Sequence, residues 1–190
     1  MEYIYELRKM SDIILKGGTR ILRPAELEIL IDSIHKTKNK TKFKALLYSG
    51  MRYVETRYLH SHPENFHKYY ITVHSGKPKA LQKERYVKLN NVGSEIVSAF
   101  LQGEQLPELP NWPTNLRRWA KRGGLNTAGL GALTTRKTWE SYLVSSYPNA
   151  FAHIFLSQGH TETTSLQYYL GIPFTPEEKD KIKRYTEGWL

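Results

Sequence analysis

One stretch of this chain abandons helical spacing for that of a strand. Residues 69–74 (YYITVH) and 85–89 (RYVKL) concentrate β-branched and aromatic side chains on either side of a Gly, Pro and Lys cluster, the pattern of a β-hairpin. Most of the remaining chain repeats apolar residues three and four apart, as an amphipathic helix does. The expected class is therefore mostly α (α+β): a helical domain carrying one small hairpin sheet.

The helical segments can be placed. Pro24 suits a first helical turn, and Leu27, Leu30, Ile31 and Ile34 follow at helical spacing until about His35. A second helix is expected from Thr41, with Phe43, Leu46 and Leu47 inward, ending at Gly50; a short third holds Arg52, Val54, Glu55 and Leu59. Beyond the hairpin come a helix around Ile96, Val97, Phe100 and Leu101, a stiff run with Pro107, Pro110 and Pro113, and the basic segment NLRRWAKR with Thr114 as its cap. Further helices are expected over residues 134–144, 149–157, 163–170 and 176–187. Thr175 and Glu178 stand in capping-box spacing before the last. Residues 4–22 are weakly patterned. The chain divides into an N-terminal segment (1–23), a main domain (24–171) and a helical tail (172–190).

Composition narrows the partner. Lys and Arg number 28 against 18 Asp and Glu, a net charge of +10, which favours an anionic partner, most commonly nucleic acid. No apolar run approaches the roughly 20 residues of a membrane-spanning helix. Without cysteine there are no disulfides or thiolate metal sites, and no signal-peptide pattern opens the chain, so a cytoplasmic location is expected. The seven His and the carboxylates lack ligand spacing such as His-x-x-x-His, which disfavours a metal nuclease.

Three local patterns carry chemistry. In LYSGMRYVE (47–55), a Gly-ended helix is followed at once by Arg52 at the start of the next, where its planar fork and exposed helix N–H groups can together hold a phosphate. Glu55 lies one turn on, placed to orient or neutralise it; alone, the segment more readily describes an Arg–Glu surface pair. In TTRKTW (134–139), Arg136 and Lys137 sit early in a helix and oppose its dipole, a cost that an anion would offset. In QGHTETTSLQYYL (158–170), a Gly-terminated helix presents His160, and Tyr168 and Tyr169 follow on a short helix.

In order and approximate spacing, Arg52, a hairpin Lys, Arg136, His160 and Tyr169 resemble the tyrosine recombinase (integrase) family over residues 24–170. GMRYVE is similar to that family's first Arg box, and QGH with Tyr169 nine residues on resembles its last. RKTWESYL and GHTETTSLQYYLGIPFTPEEK look most like integrases of archaeal viruses and plasmids. One position departs: the family carries His or Lys three residues before its second Arg, where this chain has Leu133. Either Lys137 or a backbone group substitutes, or activity is reduced.

The resemblance implies a catalytic domain that cuts and rejoins DNA. Tyr169 would attack a phosphorus, forming a 3′-phosphotyrosyl link and freeing a 5′-hydroxyl. Arg52 and Arg136 would hold the non-bridging oxygens, and His160 would donate to the phosphate or manage the Tyr proton. Lys77 would protonate the leaving oxygen, with Lys79 and Lys83 as alternatives in the same loop. The phosphodiester energy stays in the protein–DNA link, so no cofactor and no metal are implied. Further DNA contacts are expected from Lys79, Arg117, Arg118, Lys121, Arg122 and Lys137. Double-stranded DNA is the implied partner, with self-association into a tetramer upon it and a tail that packs away from its own core. Type IB topoisomerase-like relaxation and a non-catalytic DNA-binding accessory role are the alternatives.

Overall fold

The computed structural model describes residues 13–74, 84–160, 169 and 171–190. The elements run β1 (Ile14–Lys16), β2 (Thr19–Ile21), α1 (Pro24–Asp32), α2 (Thr37–Ser49), α3 (Tyr53–Ser61), a 3-10 turn (Pro63–Asn65), β3 (Tyr70–His74), β4 (Glu84–Lys88), α4 (Asn91–Leu101), α5 (Asn111–Arg122), α6 (Thr134–Ser146), α7 (Phe151–Gln158) and α8 (Pro176–Thr186). The mostly α class is as expected. The sheet content is larger: two separate antiparallel hairpins form, β1 with β2 and β3 with β4.

α6 is the central helix. Ten of its residues are buried, which explains why its sequence shows little one-sided patterning: α2, β2, α7 and α8 pack around it. Leu22 N donates to Thr138 Oγ1 at 3.0 Å, and Tyr142 Oη donates to the Leu22 carbonyl at 3.0 Å, so the strand-to-helix connection lies along α6. Trp139, Tyr142 and Leu143 then share one apolar core with Leu27 and Leu30 of α1, Phe43 and Leu46 of α2, and Trp112 and Leu116 of α5. Ile14, Ile21 and Leu22 belong to the same core. Weak patterning in residues 4–22 thus conceals a hairpin whose short strands are too brief to show a period.

The β3–β4 hairpin covers a second, smaller cluster. Its register pairs Tyr70 with Lys88 and His74 with Glu84, which turns Ile71, Val73, Arg85 and Val87 inward. Ile71, Val73 and Val87 meet Met51, Leu59, Leu89 and Val97. Arg85 goes inward with them, and a buried guanidinium requires a partner.

Two expectations need correction. Thr114 does not cap α5, because the helix starts three residues earlier, with Pro110 at the cap position, and Thr114 lies exposed inside it. Trp112 needs that extra turn to reach Tyr53, at 5.6 Å between ring centroids. The tail does not stand off either. α8 opens with the expected capping box, Thr175 N donating to Glu178 Oε2 at 2.8 Å, and Ile182, Thr186 and Trp189 are fully buried against this chain's own core. Trp189 Nε1 donates to the Lys88 carbonyl at 3.0 Å, and Asn90 Nδ2 donates to the carbonyls of Tyr185 and Glu187. No helix among the described residues is long and apolar enough to cross a membrane.

Candidate active site

The site is built where α2 ends. Gly50 closes that helix at a φ of 61°, and a Cβ there would come within 2.6 Å of both Gln158 Oε1 and Trp139 Cδ1. Glycine is thus needed for the left-handed turn and for the close approach of α6 and α7. The approach lets Arg136 reach across. Its Nη1 donates to the Gly50 carbonyl at 2.9 Å and its Nη2 to the Gln158 carbonyl, so one buried guanidinium ties together segments 86 and 22 residues away.

Arg52 follows the Gly50 turn as the N-cap of α3. Glu55, in the first turn of that helix, accepts from Arg52 N and from Arg52 Nη1, both at 2.8 Å. The same carboxylate accepts from Arg85 Nη1 at 3.0 Å and Nη2 at 2.7 Å, the bidentate geometry that a guanidinium fork favours. Arg85 Nε also donates to the Ser157 carbonyl at 3.2 Å, joining the hairpin to α7. Burial alone would raise the Glu55 carboxyl, but hydrogen bonds and charge from Arg85, then from Arg52, hold it below its ordinary value. Arg52 itself remains 43% exposed, with its outer edge open to a ligand.

The other half of the site gathers on Glu140, a residue 1% exposed and one turn after Arg136 on α6. Its Oε1 lies 3.0 Å from Arg136 Nη2 and 2.7 Å from His160 Nε2. Its Oε2 accepts the hydroxyl hydrogen of Tyr169. A protonated His160 Nε2 donates to Glu140; an unprotonated one accepts from Arg136 Nη2, 2.8 Å away. Burial lowers the Arg136 pKa, the Glu140 charge opposes that, and Arg52 lowers it further. Three guanidiniums, Arg52, Arg85 and Arg136, thus face two carboxylates, leaving an excess of one positive charge.

The structure brings Arg52, Arg136, His160 and Tyr169 to one place from four distant segments. Lys77, Lys79 and Lys83 lie outside the described residues, as does Tyr168. Lys137 is turned to the first hairpin, its Nζ donating to the Lys16 carbonyl at 2.8 Å. Leu133 is exposed at the N-cap of α6. Arg117, Arg118, Lys121 and Arg122 are exposed on α5, where Arg118 bonds Asn115 and Arg122 the Ser33 carbonyl; the hydrogen bonds found for these four lead to neither the Arg pair nor Tyr169. Sequence reasoning missed Arg85, Glu140 and Gln158. Arg85 was within reach, since strict alternation puts it on the same face as Val87.

The fold is that of tyrosine recombinase catalytic domains. The structure is similar to that of a XerA recombinase, with a TM-score of 0.64 and 14% identity over 93% of this chain and 66% of that one. It is also similar to a XerH site-specific recombinase bound to a palindromic difH substrate in a post-cleavage complex, with a TM-score of 0.57 and 19% identity over 92% of this chain and 54% of that one. The chain therefore spans between about half and two thirds of the length of these recombinases. The sequence matches no protein-family model and no curated protein.

Proposed function

We propose that this chain is the catalytic domain of a site-specific DNA recombinase, an integrase of the kind carried by archaeal viruses and plasmids, which breaks and rejoins strands through a 3′-phosphotyrosyl intermediate. The observation that carries this reading is the convergence of Arg52, Arg136, His160 and Tyr169 on one positively charged site within a recombinase fold. A phosphodiester carries one negative charge, which equals the excess of the described cluster. Arg52 offers its open edge to a non-bridging oxygen, and Arg136, held in place by two carbonyls, adds the positive charge of a second guanidinium. Lys77 is the proposed acid for the leaving 5′-oxygen. Residues 24–171 form the proposed catalytic unit, and residues 13–23 and 172–190 pack into its core. Duplex DNA is the proposed partner, bound in the cytoplasm by a tetramer of chains.

The test uses a library of nicked duplexes with randomised sequence beside the nick, from which protein-linked DNA is recovered under denaturing conditions. The unaltered chain is expected to yield an adduct on Tyr169. Tyr169→Phe should abolish it while leaving DNA binding nearly intact, because only the attacking oxygen is removed. Tyr168→Phe should still cleave, since neighbouring helical side chains point about 100° apart and one alone can face the arginines. An adduct that survives Tyr169→Phe and disappears in Tyr168→Phe would move the nucleophile by one residue. No adduct from the unaltered chain would leave a DNA-binding accessory role.

A further inference from the structure

We propose that Glu140 is the general base of this site: it takes the Tyr169 hydroxyl proton as the phenol attacks phosphorus. The inference rests on the recombinase reading and deepens it. Tyr169 Oη already donates to Glu140 Oε2, while the other carboxylate oxygen is occupied by Arg136 and His160. One oxygen is thus reserved for the nucleophile. Both residues are nearly inaccessible to water, Glu140 at 1% and Tyr169 at 5% exposure, and no other acceptor is bonded to the hydroxyl among the described residues.

The proton balance favours this role. The Oη–H proton passes to Oε2, the Oη–P bond forms, the P–O5′ bond breaks, and the 5′-oxygen takes a proton from a hairpin ammonium or from water. While phosphorus is five-coordinate, the phosphoryl oxygens carry about two negative charges. Neutralising Glu140 leaves three guanidiniums facing the single carboxylate of Glu55, a local charge that matches. It also releases Arg136 Nη2 and His160 Nε2 from the carboxylate to donate to the phosphate, so deprotonation and transition-state binding become one event. In reverse, protonated Glu140 returns the proton as the tyrosine leaves.

The groups facing Glu140 are Arg136 and Lys137 on its own helix, His160 after α7, and Tyr169, with Arg52, Glu55 and Arg85 in the next shell of charge around Arg136. Of the groups that β2, α2 and α8 bring to α6, Arg20 pairs with Glu26, Tyr48 packs on Trp139, and Tyr185 and Glu178 act on Tyr142; the hydrogen bonds of Glu140 go to none of them.

The test is the single-turnover rate of adduct formation on the best sequence from the nicked library, measured from pH 5.5 to 10. The unaltered chain should show a plateau and not a rate that climbs with pH throughout, because a carboxylate and not hydroxide takes the phenol proton. Glu140→Gln keeps the size and an accepting oxygen but removes the charge facing buried Arg136, so the melting temperature should fall, and the rate is read below the unfolding transition on protein shown to bind DNA. Its rate at pH 7 should fall at least about 100-fold, the usual scale of a lost general base, then climb with a log-log slope near one toward pH 10. His160→Asn should slow the reaction but retain the plateau. Glu140→Gln cleaving as fast as the unaltered chain, or faster, would show that the carboxylate merely restrains the tyrosine and would overturn the proposal. A rate in the unaltered chain that climbs with slope one throughout would overturn it independently of any variant. Loss of the adduct in Tyr169→Phe, measured alongside, keeps the recombinase reading distinguishable from the role of Glu140.

Discussion

Glu55 serves two guanidiniums with one carboxylate, and the burial of its partners differs. Arg52 is partly exposed, whereas Arg85 is 9% exposed and has no other carboxylate among the hydrogen bonds of the described residues. Glu55→Gln would therefore strand a buried cation, at a cost of about 3 kcal/mol of stability. Because the folded-state carboxyl is held below its ordinary value of 4.5, its contribution is present above that value and is lost as pH falls through the depressed one. Urea unfolding of the parent and Glu55→Gln should show a constant gap near neutral pH that shrinks in acid below about 4.5. A gap unchanged at pH 3 would mean that the ion pair contributes nothing and that the loss is steric. Glu140 could not be singled out this way from the sequence. An Arg and a Glu four apart on a helix usually form an ordinary surface pair, and the Tyr that completes the site lies 29 residues further on.

α7 is a helix of eight residues, too short to persist without tertiary contacts. It is fixed by β4, which it contacts through Ser157, and by the turn at Gly159, whose φ is 68°. A Cβ at Gly159 would sit 2.8 Å from Arg85 Cδ, and Arg85 has little freedom to yield because Glu55 and the Ser157 carbonyl hold it. Gly159→Ala is thus expected to cost about 1–3 kcal/mol, from the left-handed backbone and the displaced arginine together. It should also lower adduct formation, since His160 leaves from that turn. Thermal unfolding and the adduct assay check the two parts; a fully stable, fully active Gly159→Ala would show that the turn does not set the position of His160. Sequence reasoning located this helix and its glycine stop correctly, because a C-terminal Gly is a local signal. The arginine beneath the glycine comes from another element and leaves no such signal.

At the scale of the domain, residues 13–23 and 172–190 are tied into one core. Arg23 at the cap of α1 pairs with Glu178 at the start of α8 at 2.8 Å, and Trp189 closes over Lys88. α8 is therefore docked on its own α6. The net charge of +10 acts at this same scale. Affinity for duplex DNA should fall steeply with added salt, with a log-log slope of about 0.9 per phosphate neutralised. Titrations between 50 and 200 mM salt measure that slope, and a flat response would point away from a nucleic-acid partner.

A resemblance in order and spacing singled out Arg52, Arg136, His160 and Tyr169 as candidates, while the helical class, the β3–β4 hairpin and most helix spans could be read from the chain alone. Each depends on residues near one another, through apolar spacing, a helix stop or an ordered motif. The first hairpin, the docking of the tail, the Glu55–Arg85 pair and the meeting of Tyr169 with Glu140 could not. They join groups that are remote along the chain, and their stabilisation comes from burying charge against charge and apolar faces against the central helix. Such partners exist only once the helices have packed.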